Sequence, residues 1–96
     1  MVARVTTWEG GTADAIRAAS AEMGSRVAQG PPPGVKSTGF TMLADPEGGR
    51  VYMIGLFASE EDLADSEAAL KAMNPPEGLG TQTKREVFEV AADVRM

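Results

Sequence analysis

Two proline blocks, Gly30-Pro31-Pro32-Pro33-Gly34 and Asn74-Pro75-Pro76, cut this chain where no helix can pass. Proline lacks a backbone N–H and its ring clashes with the preceding turn, so a helical pattern that reaches either block must stop. Each block follows a helix-prone stretch and precedes β-prone chain. The order is therefore strand, helix, strand, strand, helix, strand. With 96 residues there is too little chain beside either block for a domain boundary. A proline-docking role for the first block is set aside, because it stands where a helix has to end.

The individual segments fit that order. Residues 2–8 are rich in β-branched side chains and end in Trp8, which reads as a strand. Glu9-Gly10-Gly11 breaks it, Thr12 can cap a helix, and Asp14 in the first turn complements the helix dipole. From Ala13 to about Gln29, Ile16, Met23 and Val27 form one stripe, with Ala19 and Ser20 filling the turn between the first two. Val35 to Ala44 and Arg50 to Ala58 are β-prone, and Asp45-Pro46-Glu47-Gly48-Gly49 between them predicts a hairpin. Ser59-Glu60-Glu61-Asp62 is a near-match to a capping box, and Leu63, Leu70 and Met73 then repeat at helical spacing. After Gly78-Leu79-Gly80, residues 81–90 read as a last strand whose Lys84-Arg85-Glu86 suits an exposed edge.

Such a pattern folds most simply as an α+β, ferredoxin-like βαββαβ sandwich: an antiparallel four-stranded sheet with both helices on one face. All five aromatic residues (Trp8, Phe40, Tyr52, Phe57, Phe88) fall in the predicted strands, while the helices are alanine-rich. Met42-Leu43 and Tyr52-Met53-Ile54 are apolar at consecutive positions, so both faces of the sheet need cover. Two helices hide one face. The other predicts a homodimer. A 10.0 kDa chain buries roughly 64% of its unfolded surface, enough for a core with little margin.

Composition removes whole classes of chemistry. There is no cysteine, hence no disulfide, thiolate nucleophile or sulfur-ligated metal. There is no histidine, the side chain best suited to proton transfer near neutrality and the commonest metal ligand. Any general base must be a carboxylate, lysine, tyrosine or ordered water. Glu60-Glu61-Asp62 sits where carboxylates serve a helix dipole, so no metal is expected, and no cofactor. The net charge of −5 disfavours nucleic acid and anionic membrane surfaces. Arg50-Val51-Tyr52-Met53 lacks the paired aromatics of an RNA-recognition strand, and Gly10-Gly11 and Gly48-Gly49 read as turns, not phosphate cradles. The N-terminal residues show no basic-then-apolar leader and no apolar run reaches ~20 residues, so the expected location is cytoplasmic.

Pro33-Gly34-Val35 with Gly39-Phe40, Asp45-Pro46 to Gly49-Arg50, Leu56-Phe57-Ala58-Ser59-Glu60-Glu61, and the opening Ala3-Arg4-Val5-Thr6-Thr7-Trp8-Glu9-Gly10 resemble the antibiotic biosynthesis monooxygenase-like (ABM) family in order and spacing. The resemblance implies a dimeric α+β barrel, with residues 1–90 as one ABM-type domain and 91–96 as a tail. What it implies about activity is divided: some members oxidise polycyclic aromatic polyketides without a cofactor, others degrade haem, and many have no assigned activity. The haem-degrading kind uses an asparagine on the first strand and a tryptophan and a histidine on the second helix. The matching places here hold Thr6, Ser66 and the Met73-to-Pro75 region, so haem degradation is disfavoured.

The expected function is a small-molecule-binding protein resembling cofactor-free monooxygenases that act on aromatic or polyketide-like substrates. The alternative is a non-catalytic homodimeric accessory module. The expected partners are a second copy and a small apolar or aromatic ligand. Candidate binding residues are Thr6 and Trp8 on one strand face and Ser66, Leu70 and Met73 on one helix face, with Tyr52 or Asn74 supplying a polar contact. No residue is singled out as catalytic.

Overall fold

The computed structural model describes residues 1–73 and 78–94. Over these the chain runs β1 (Val2–Gly10), α1 (Ala13–Val27), β2 (Ser37–Asp45), β3 (Arg50–Phe57), α2 (Glu60–Ala72) and β4 (Gly80–Glu89). The strands form one sheet in the order β2-β3-β1-β4, and every neighbouring pair is antiparallel. This is the expected ferredoxin-like sandwich. The charged last strand is indeed an edge, paired through β1 alone.

Local chemistry explains the boundaries. The Thr12 hydroxyl accepts from the Ala15 N–H at 3.3 Å and opens α1; the Ser59 hydroxyl accepts from the Asp62 N–H at 3.1 Å and opens α2. Glu60, Glu61 and Asp62 occupy the first turn of α2, and Arg26 and Lys71 the last turns of the two helices, each on the favourable end of its dipole. At the hairpin, the Asp45 carboxylate accepts from the Gly48 N–H at 3.1 Å, and Gly49 takes a φ of +70° that a side chain would strain. Helix α2 ends at Ala72, with Met73 extended behind it. The expected stop at Asn74-Pro75-Pro76 lies outside the described residues.

Strand register sorts the side chains by face. Val2, Arg4, Thr6 and Trp8 of β1 pair with Phe57, Gly55, Met53 and Val51 of β3, and all of these point toward the helices. On that side the core divides in two. Helix α1 lies over one end, packing Ile16 and Ala19 against Val51 and Leu79, with Trp8, Met42 and Met53 at the margin. Helix α2 lies over the other, packing Leu63 against Val2 and Phe57, with Val35 and Leu70 at the margin. Phe57, Ile16, Leu79 and Val51 are fully buried, each contributing ~1.5–3 kcal/mol of hydrophobic stabilisation. Leu79, expected to belong to a link, is a core residue.

The opposite face carries Ala3, Val5, Tyr52, Ile54, Leu56, Leu43 and Phe88, and no described element covers it. Leu43 and Phe88 are about half exposed there, at 50% and 49%.

Candidate functional site: a cavity between two half-cores

Between the two apolar clusters the sheet changes character. The row that crosses its middle reads Phe40, Gly55, Arg4 and Val87 from β2 to β4. The next row toward the α1 end holds Met42, Met53, Thr6 and Arg85. A glycine, a threonine and an arginine thus stand at the centre of the helix-facing surface, where large apolar residues would close the core. Glycine in a strand interior gives up side-chain packing, and here it lowers the floor of a hole. A Cβ at Gly55 would approach the Phe57 ring at 3.2 Å, tighter than an ordinary contact.

The hole is a cavity of about 890 Å³, partly open to solvent. It falls within the range of about 300–1,000 Å³ usual for small-molecule pockets. Trp8, Phe40, Met53 and Phe57 line it from the sheet. Met23 and Val27 close it from α1, Leu70 and Met73 from the α2 end, and the Pro31-Pro32-Pro33 run walls one side. The proline block therefore does more than stop a helix: it presents a rigid apolar surface to the cavity.

The charges are one-sided. Among the described residues, Arg4, Arg26, Lys71 and Arg85 line the cavity and no aspartate or glutamate does, in a chain whose net charge is −5. Arg26 pairs with Glu22 at 2.6 Å. Arg4 and Arg85 share one carboxylate, Glu67 of α2, which stands behind the lining: Arg85 donates to Glu67 Oε1, and Arg4 Nε lies 3.6 Å from the same oxygen. That leaves Arg4 Nε and Glu67 Oε2 buried without a hydrogen-bond partner. Burial pulls the Arg4 guanidinium below the usual arginine value; Glu67 works against this, and neighbouring Arg85 adds to the depression.

Four of the five sequence-selected residues, Thr6, Trp8, Leu70 and Met73, meet around this cavity. The Trp8 indole N–H donates to the Thr6 hydroxyl at 3.1 Å, which ties the ring to its own strand. Ser66 is the correction. It is fully buried and outside the lining; its hydroxyl accepts from the Lys36 backbone N–H at 2.8 Å and donates to the Asp62 carbonyl at 2.8 Å. A side chain whose donor and acceptor are both engaged inside the protein serves the fold, here by pinning the chain after the proline block to α2. Tyr52 is also misplaced by the sequence reading: its register opposite Thr7 sets it on the far face of the sheet. Asn74 lies outside the described residues.

Sequence reasoning missed Arg4, Phe40, Met53, Gly55, Phe57 and Arg85. Strand alternation alone puts Arg4 on the face of Thr6 and Trp8, and an arginine on a core-facing strand position is itself a signal.

A four-stranded antiparallel sheet with two helices on one face and a ligand-sized cavity between them is a ferredoxin-like α+β sandwich. The solved structure of an arginine-to-serine variant of MhuD, with two manganese protoporphyrin IX bound per active site, matches it with a TM-score of 0.60 over 100% of both chains, at 20% sequence identity. The shared property is the fold. No family model and no curated protein matches the sequence.

The comparison corrects one expectation. Haem degradation was disfavoured because this chain has no histidine, yet a chain of the same fold holds two metalloporphyrins in its active site. An axial ligand is one contribution among several. Among the described residues no helix is long and apolar enough to cross a membrane, and no group of three or more metal-ligating side chains is assembled.

Proposed function

We propose that the domain binds a planar polycyclic aromatic ligand, of the size class of a tetrapyrrole, in the cavity between its half-cores. The observation that carries this reading is the glycine-floored gap at Gly55, walled by Trp8, Phe40 and Phe57. Flat aromatic and thioether surfaces favour flat, polarizable ligands through stacking and dispersion. The metalloporphyrins bound by MhuD on the same fold support the size and shape class. In this reading Trp8, Leu70 and Met73 touch the ligand, Thr6 holds the Trp8 ring, and Ser66 braces the wall.

The test uses the sole tryptophan, which stands in the cavity. Titration with manganese protoporphyrin IX is expected to quench Trp8 fluorescence saturably and to shift the porphyrin absorption band. An unchanged band and unquenched Trp8 at micromolar protein and probe overturn the reading.

We further propose that the uncovered sheet face packs on the same face of a second copy. Val5, Ile54 and Leu56 at its centre, with Leu43 and Phe88 at its margins, supply the apolar area that this face leaves exposed. Sedimentation at micromolar concentration is expected to give twice 10.0 kDa; a well-folded monomer overturns it.

A further inference from the structure

We propose that Arg4 and Arg85 form an anion seat in the cavity wall, so that the ligand taken there is a planar aromatic acid anchored by a carboxylate. This rests on the reading that the cavity holds a planar aromatic ligand, and adds the group by which the ligand is oriented.

The cavity wall carries a charge imbalance. Arg4 of β1 and Arg85 of β4 lie on the same face of the β1–β4 pair in adjacent rows, two residues apart in register, with Glu67 as their shared counter-charge. The cluster carries one positive charge in excess, and its spare donors belong to the two residues that line the cavity. The Arg4 side chain makes no hydrogen bond among the described residues; its Nε is 3.6 Å from Glu67, too far for one. Arginine is charged at every physiological pH, and its planar fork matches a carboxylate in two-point geometry.

Cations in the last turn of a helix serve its dipole. Arg26 and Lys71 have that role. Arg4 and Arg85 do not, because they lie on strands, on the helix-facing side of the sheet. Arg4 in particular stands on a central strand, half-buried, where its charge opposes folding unless it is compensated. A ligand carboxylate supplies the missing compensation and satisfies donors that Glu67 leaves open. The cluster's position at the β4 side of the cavity also sets the pose: the acid end toward β1 and β4, the ring system toward Trp8, Phe40 and the proline wall.

The experiment compares manganese protoporphyrin IX with its dimethyl ester, which keeps the ring and loses the carboxylates. Expected is binding of the acid about tenfold or more tighter than the ester, with the acid's affinity alone weakening as salt is raised. Arg4→Met and Arg85→Met are expected to weaken acid binding about tenfold and so to close the gap between acid and ester, with circular dichroism reporting that each variant retains its fold. Equal affinity for acid and ester, unmoved by either substitution, overturns the anion seat and leaves the planar-ligand reading standing. Failure of both probes to bind overturns both.

Discussion

The hydroxyl of Ser66, on α2, accepts a hydrogen bond from the backbone N–H of Lys36 at 2.8 Å, across 30 residues of sequence. The same hydroxyl donates to the Asp62 carbonyl, so it acts as a staple between the chain leaving the proline block and the helix beside it. The Lys36 side chain reinforces the joint by reaching Asp65 at 2.9 Å. One wall of the cavity is therefore held in place by a residue that does not line it.

Ser66→Ala removes the acceptor and leaves a partly buried backbone donor unpaired. The expected cost is about 1–3 kcal/mol of unfolding free energy, read from the urea midpoint. Because the proline wall is no longer pinned, ligand affinity is expected to fall as well. A variant with unchanged stability would remove the staple from the account.

Gly55→Val tests the floor. Valine suits a central strand, but its side chain would project into the cavity and press on the Phe57 ring, which already lies 3.2 Å from the Cβ position. The expected outcome is a folded protein whose Trp8 quenching by porphyrin weakens roughly tenfold, about 1.4 kcal/mol. Undiminished quenching would place the ligand elsewhere.

Lys36 makes a pH prediction. Its hydrogen bond to Asp65, with the charge of Asp65 next, raises its pKa above the ordinary 10.5. A base whose folded pKa is raised stabilises the fold fully below its unfolded pKa and loses that contribution as pH rises through the folded value. The difference in urea midpoint between the natural chain and Lys36→Met is therefore expected to stay flat from neutral pH to about 10 and to shrink above it. The pair is exposed, so the difference is small throughout.

Much of this was legible in the sequence, for identifiable reasons. The helix caps at Thr12 and Ser59 act through local hydrogen bonds, so a reading of a few residues finds them. The element order follows from proline and glycine, whose backbone rules are context-free. What escaped depends on contacts distant in sequence. Leu79 sits in a glycine-rich link, and only the packing of Ile16 and Val51 against it makes it core. Ser66 shares a helix face with Leu70, but its hydroxyl finds a partner 30 residues away before it can face a ligand. The Arg4–Glu67–Arg85 cluster joins three elements, and nothing in the spacing of those residues announces it.

The uncovered sheet face supplies the last prediction. Ile54 lies at its centre, between Val5 on one neighbouring strand and Thr41 on the other. Within a single chain Ile54 is only partly covered, so Ile54→Lys places its ammonium in water and disturbs the monomer little. In a face-to-face dimer the same substitution buries an unpaired ammonium from each copy in an apolar interface, which costs several kcal/mol. The expected outcome is a 10.0 kDa species by sedimentation that retains its sheet signal by circular dichroism. The cavity opens on the other side of the sheet, so porphyrin quenching of Trp8 should survive if each subunit holds its own site. A variant that sediments as the unsubstituted protein does would move the pairing surface off this face, and loss of quenching together with dissociation would mean that the second copy helps to shape the cavity.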